Sequence, residues 1–209
     1  MKRLLILVVL LLSSCVQLPP LPPISAKQLD SWRLNGRIAI STENDSWTAK
    51  VFWRQQGAAY QLRLNTPLGQ GAIMLEGDDK GVVMRQADKK TIRAANPDIL
   101  IAKVLKVELP VTNLHAWIRG LPAPNSSPQW YTLDNAKRHM HSLRQDGWEI
   151  DYKKYMKVQG IDLPKKIFLE NNRFKVKIVI SRWEIHTAPS KTAKPRIFYL
   201  KYGEPRLSI

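Results

Sequence analysis

From Trp32 onward, apolar and polar residues alternate with a period of two, and this periodicity constrains the chain more than any other feature. Trp32, Leu34, Ile38 and Ile40 fall on one side of an extended backbone, and Arg33, Asn35 and Arg37 on the other. Trp47, Ala49, Val51 and Trp53 repeat the pattern against Thr48, Lys50 and Arg54, and Tyr60, Leu62 and Leu64 do so against Gln61 and Arg63. Successive side chains of a strand point to opposite faces, so each run predicts an antiparallel strand with one buried and one wet face. Glu43-Asn44-Asp45, Gln56-Gly57 and Gly77-Asp78-Asp79 supply the intervening turns. Weaker strand signals follow at 72–76, 82–86 and 91–94.

The period then changes. Asn96 caps and Pro97 opens a predicted helix, whose body at 99–107 carries Leu100, Ile101, Val104 and Leu105 at helical spacing. A second short helix is predicted over 111–119, with Leu114, Trp117, Ile118 and Leu121 as its apolar side and Gly120-Leu121-Pro122 as its stop. Strand signals return at Trp148, Ile150 and Tyr152, and again at 167–169. Asn171-Asn172 suits a tight hairpin before Phe174, Val176, Ile178 and Ile180, which alternate with Lys175 and Lys177. Strands, a helical pair, then strands imply an antiparallel sheet with helices against one face. The pattern leaves open whether sheet and helices close tightly or enclose a cavity.

Ahead of this domain, Lys2 and Arg3 precede an unbroken apolar run at 4–12. The run is far short of the ~20 residues of a spanning helix and suits the core of a signal peptide. Leu12-Ser13-Ser14-Cys15 resembles the lipobox of bacterial lipoproteins. That resemblance implies cleavage before Cys15, a thioether-linked diacylglycerol on its sulfur and acylation of the new amino terminus. Val16 stands where an Asp commonly retains enteric lipoproteins at the inner membrane, which points by resemblance to the outer membrane. Cys15 is the single cysteine, so a mature chain with lipid on it holds no disulfide. Pro19, Pro20, Pro22 and Pro23 make 16–25 an extended tether of about 3.1 Å per residue. The expected organisation is a signal peptide at 1–14, a lipidated terminus and linker at 15–29, one domain at 30–186 and a basic tail at 187–209.

Lys and Arg number 33 against 17 Asp and Glu, a formal charge of +16 over 209 residues. Such an excess favours nucleic acid, phospholipid headgroups or an acidic protein surface. Export, together with tryptophans in register with Leu, Ile and Val rather than with the basic residues, argues against nucleic acid. Of the histidines (His115, His139, His141 and His186), the local pair His139 and His141 has no neighbouring acidic or thiolate ligand and reads as a solvated loop pair. The sequence shows no phosphate loop, no GxSxG elbow and no HExxH, so neither a cofactor, a metal nor an enzymatic activity is expected. An envelope hydrolase would require a convergent acid–base pair in a cleft.

One segment does not look like core. Pro67 and Gly69 impose a turn in Asn65-Thr66-Pro67-Leu68-Gly69-Gln70-Gly71, leaving Leu68 either at a loop tip or folded back on the sheet. Here the chain resembles the LolB family of outer-membrane lipoproteins, over roughly residues 32–185. The resemblance is carried by the lipobox, Leu34-Asn35-Gly36-Arg37-Ile38-Ala39, Val51-Phe52-Trp53, the Asn65–Gly69 segment, Leu114-His115-Ala116-Trp117-Ile118-Arg119-Gly120-Leu121-Pro122 and Leu163-Pro164. It implies a mainly β fold with α-helices: an incomplete antiparallel β-barrel, with a helical lid over an apolar cavity. It also implies acylated lipoprotein cargo, handed over by the periplasmic carrier LolA and passed to outer-membrane phospholipids, on the periplasmic face of that membrane. The Pro67-Leu68-Gly69 loop takes the place of the family's membrane-transfer loop. Cavity-lining candidates are Leu34, Ile38, Ile40, Ala49, Val51, Trp53, Leu62, Leu64, Leu100, Val104, Leu114, Trp117, Ile118 and Ile178. The tail past His186 and the high charge depart from the family. The alternative reading is a lipid-anchored envelope-binding module with a solid core.

Overall fold

A computed structural model describes residues 26–65, 72–86, 91–134 and 139–186. Cys15, the leader, the tether up to residue 25, the Pro67-Leu68-Gly69 loop and the tail from 187 lie outside the described residues. In chain order the elements are β1 (Ser31–Ser41), β2 (Ser46–Gln56), β3 (Ala59–Asn65), β4 (Ala72–Asp78), β5 (Gly81–Gln86) and β6 (Thr91–Ala94). The helices α1 (Pro97–Leu105) and α2 (Val111–Trp117) follow. Then come β7 (Trp130–Leu133), β8 (Met140–Gln145), β9 (Trp148–Val158), β10 (Ile161–Glu170) and β11 (Lys175–Ile185).

The strands form one antiparallel sheet in the order β6-β5-β4-β3-β2-β1-β11-β10-β9-β8-β7. The first and last strands therefore meet at its middle, while β6 and β7 remain as open edges. The chain passes from one edge to the other through α1 and α2. The result is an incomplete barrel whose buried face is covered by the two helices.

The alternation read from β1 to β3 is the burial pattern observed: Trp32, Leu34, Ile38 and Ile40 are buried while Arg33 and Arg37 are exposed. At the β1–β11 seam the register steps from Asn35↔Arg182 to Gly36↔Ile180, which leaves Ser181 as an extra residue. This bulge lets both Ile180 and Trp183 point inward. The seam is close at Gly36, where a Cβ would stand 2.6 Å from the Val179 carbonyl oxygen.

Several expectations need correction. Helix α1 stops at Leu105, because Lys106 turns left-handed (φ 59°) and its N–H donates to the Ala102 carbonyl. The Asn96 cap is as expected, with its Oδ1 accepting from the Asp98 N–H at 2.7 Å. Strands β7 and β8 were not anticipated. Pro164, expected before a strand, lies inside β10 at a register shift, where a missing N–H is tolerated. His139 and His141 are not a solvated loop pair: His141 lies on β8, and His139 stacks on Tyr155 with ring centroids 3.8 Å apart.

Candidate functional site

Between the buried face of the sheet and the two helices lies a narrow cleft with about 20 Å³ of open space, room for no more than a water-sized guest as it stands. Its sheet wall is made by Ile38 and Ile40 of β1, Trp47, Val51 and Trp53 of β2, Leu62 and Leu64 of β3 and Ile178 of β11. Ile101 and Leu105 of α1, Leu109 of the connection, and Val111, Leu114 and Ile118 in and just after α2 make the opposite wall. The surface of the cleft is apolar throughout, and its walls stand close together. Such a space offers a guest dispersion and desolvation but no directional bond.

The cleft brings together most of the sheet residues nominated from the sequence, with Leu114, Ile118 and Ile178. It does not include Leu34, Ala49, Leu100 or Trp117, which are buried in the surrounding core, nor Val104, which is half-buried on α1. Trp117 is turned away toward β8. Five liners were not nominated: Trp47, Ile101, Leu105, Leu109 and Val111. Trp47 lay in the β2 alternation, and Ile101 and Leu105 on the apolar side of α1. The period-two spacing of Val107, Leu109 and Val111 was the signal available for the connection.

At the end of the cleft marked by Trp53 is an aromatic cluster. Trp32 lies 5.4 Å from Trp53 and 5.3 Å from Trp183 between ring centroids, and the His115 imidazole stacks on it at 5.9 Å and 17°. The Trp183 indole donates to the Pro164 carbonyl at 2.9 Å. Arg119 lies beyond His115. Its guanidinium donates to the carbonyls of Leu29 (3.0 Å), Ala26 (3.3 Å) and His115 (3.2 Å), tying the start of the domain to α2.

Burial, reinforced by the Arg119 charge, pushes the His115 imidazole down to about 4. An unfolded chain takes up this proton near pH 6.5, whereas the folded chain resists it until about 4. Stability is therefore full above pH 6.5 and is lost as the pH falls toward 4, by on the order of 2 kcal/mol from this group. His115→Phe is expected to flatten the pH dependence of the urea midpoint between pH 7 and 5. An unchanged slope would show that another group carries it.

A second polar contact holds the helical wall. Gln145, fully buried on β8, accepts from the Trp117 indole N–H and from the Ala123 N–H, both at 2.8 Å. Its amide donates to the carbonyls of Ala123 (2.9 Å) and Ser126 (2.7 Å). Tyr152 of β9 adds a hydrogen bond to the Trp117 carbonyl at 3.0 Å. Sequence reading missed Gln145, since a polar residue in a short run carries no periodic signal. Among the described residues, no three His, Cys, Asp or Glu side chains group as metal ligands.

A family model described as "Outer membrane lipoprotein LolB" matches residues 30–183. A relative from Ectopseudomonas mendocina (strain ymp), named outer-membrane lipoprotein LolB, is 40% identical over 75% of this chain and 76% of its own. One of the same name from Pseudomonas putida (strain W619) is 39% identical over 75% of both chains. The crystal structure of a LolA superfamily protein from Nitrosomonas europaea matches with a TM-score of 0.52 at 12% identity, covering 77% of this chain and 88% of that one. At that identity the likeness is one of fold alone.

Proposed function

The chain belongs to the outer-membrane lipoprotein LolB family, and from that premise we propose that it is a non-enzymatic, membrane-anchored acceptor of acylated lipoproteins. In this reading Cys15 carries the anchor on the periplasmic face of the outer membrane, 16–25 is the tether and 30–186 the carrier domain, with 26–29 packed onto it through buried Leu29 and the Arg119 contacts. Cargo arrives from the carrier LolA, its acyl chains enter the cleft, and they leave for the phospholipid bilayer. The wholly apolar cleft between sheet and helices carries the proposal.

Each buried methylene of a guest contributes about 0.8 kcal/mol wherever it is buried, in the cleft or in the bilayer. Transfer onward then requires only that the bilayer be the better sink, and no nucleotide is consumed. The narrowness of the cleft means that loading must part its walls. The polar contacts favour α1 as the moving wall: α2 is held to the sheet by Gln145 and Tyr152, and Arg119 ties it to the segment before β1, whereas the polar contact of α1 is to α2, through Asp98 Oδ1 and the Thr112 N–H at 3.0 Å. Helix α1 is the wall displaced most readily.

Titration with an environment-sensitive fatty-acid probe is expected to give saturable uptake. Leu105 is half-buried at the cleft wall, and Leu105→Glu is expected to weaken uptake about tenfold or more by placing a charge against the guest. Absence of saturable uptake by the unaltered protein would favour the solid-cored anchored module instead. For the Pro67-Leu68-Gly69 loop, Leu68→Glu is expected to leave probe uptake intact while slowing delivery of bound lipoprotein to liposomes. Delivery at the original rate would remove Leu68 from the mechanism.

A further inference from the structure

The outer face of β1, β2 and β3 is the side turned away from the cleft, and at its centre is Phe52, 41% exposed. In the strand register Phe52 stands opposite Asn35 on β1 and Arg63 on β3. Lys50 and Arg54 flank it on its own strand, and Arg33 and Arg37 occupy the diagonal positions on β1. Five basic side chains thus surround one phenyl ring, at the ~5–8 Å spacings of neighbouring positions on one sheet face.

Any antiparallel sheet has a wet face, but this one is arranged against its own stability. Arg33 stands directly opposite Arg54, and Arg37 directly opposite Lys50. Like charges in facing positions are destabilising. No carboxylate stands within the ring. Glu184 approaches Arg33 from the β11 side at 3.8 Å and also pairs with Arg182 at 3.1 Å, while Glu76 on β4 is taken by Arg85 and Gln61. Among the described residues, Arg37, Lys50 and Arg63 have no ion pair.

We infer that this Phe52-centred basic face docks the domain on an anionic phospholipid surface. Cations gathered on three neighbouring strands of the barrel's outer face suit a surface dense in phosphates, and a single central aromatic ring suits the headgroup boundary. An acidic protein partner would complement the charges, but would bring carboxylates matched to individual arginines rather than an interface for a lone phenyl. Docked this way, the protein presents its helices and cleft away from the bilayer, a pose for receiving cargo rather than releasing it. The inference rests on the membrane-anchored part of the proposed function, and not on the cleft holding acyl chains.

Cys15 is the only cysteine, so in the acylated chain an introduced thiol is the only free one. The membrane-extracted protein, carrying either Thr48→Cys beside Lys50 on the docking face or Lys103→Cys on α1, is labelled with a fluorophore. It is then reconstituted into phosphatidylethanolamine vesicles, with or without phosphatidylglycerol, that carry a headgroup-level nitroxide quencher. The expected result is quenching at position 48 several-fold above that at 103 in the phosphatidylglycerol vesicles, abolished by high salt. Lys50→Glu combined with Arg63→Glu is expected to reduce the docked fraction about tenfold or more, since each basic side chain near such a surface is worth about a factor of five. Fatty-acid uptake should be unchanged in that variant, which separates this test from that of the cleft. Equal quenching at both positions, or quenching indifferent to phosphatidylglycerol or to the charge reversals, would overturn the inference. So would shielding of position 48 by an added acidic protein without any response to lipid. Labelling of the parent chain at Cys15 would instead report failure of the anchored reading.

Discussion

Trp32→Ala is expected to lower the unfolding free energy by about 3–5 kcal/mol, the range for removing a buried aromatic side chain. Trp32 is fully buried on β1, at the point where β2, β11 and α2 meet. Its removal leaves Trp53, Trp183 and His115 facing a void, and each aromatic pair lost adds about 0.5–1.5 kcal/mol to the area term. The substitution also acts on the cleft, because Trp53, which leans on Trp32, is part of the cleft wall. Trp32→Phe provides the internal control. The Trp32 indole N–H has no hydrogen-bond partner among the described residues, so phenylalanine loses volume without breaking a bond and should be destabilising by less than half as much. Urea unfolding followed by circular dichroism measures both variants. If alanine and phenylalanine proved equally damaging, packing of the aromatic cluster would not be what holds the seam.

Strands β1 to β6 and β11 could be read from the sequence because the sheet has one wet face. That asymmetry writes burial into alternate residues, as in Leu62-Arg63-Leu64 or Val176-Lys177-Ile178. Strand β7 lies at the open edge with Trp130, Tyr131, Thr132 and Leu133 all exposed, so burial imposes no alternation there. On β8 the inward positions include Gln145, and a polar residue at a buried position hides the pattern. The far part of β9 carries Lys153, Lys154 and Lys157 beyond the buried core and reads as loop. Pairing of β1 with β11, which brings Ile178 beside Ile38, is a long-range choice with no local signature. For the same reason the sheet wall of the cleft was largely legible and the helical wall was not. Helical spacing identifies an apolar side, as for Leu100 and Ile101, but not which of its residues meets the cleft and which the packed core.

The other large effect is expected at Gln145. Gln145→Leu keeps most of the side-chain volume yet leaves the Trp117 indole N–H, the Ala123 N–H and the carbonyls of Ala123 and Ser126 without their partner. Unpaired buried polar groups cost about 1–3 kcal/mol each, and with partial relaxation toward water the sum is expected at about 3–4 kcal/mol. The location of the loss matters as much as its size. Gln145 is the side chain that fastens α2 and the segment after it to β8, and so keeps one wall of the cleft fixed while α1 moves. Amide exchange across residues 111–123 should accelerate in Gln145→Leu well beyond the change in β1 and β2, and fatty-acid uptake should weaken as the cleft loses its fixed wall. A variant that lost stability with uniform acceleration of exchange throughout the sheet would show Gln145 to be an ordinary core residue. In that case the division of the helical cover into a fixed α2 and a movable α1 would fail with it.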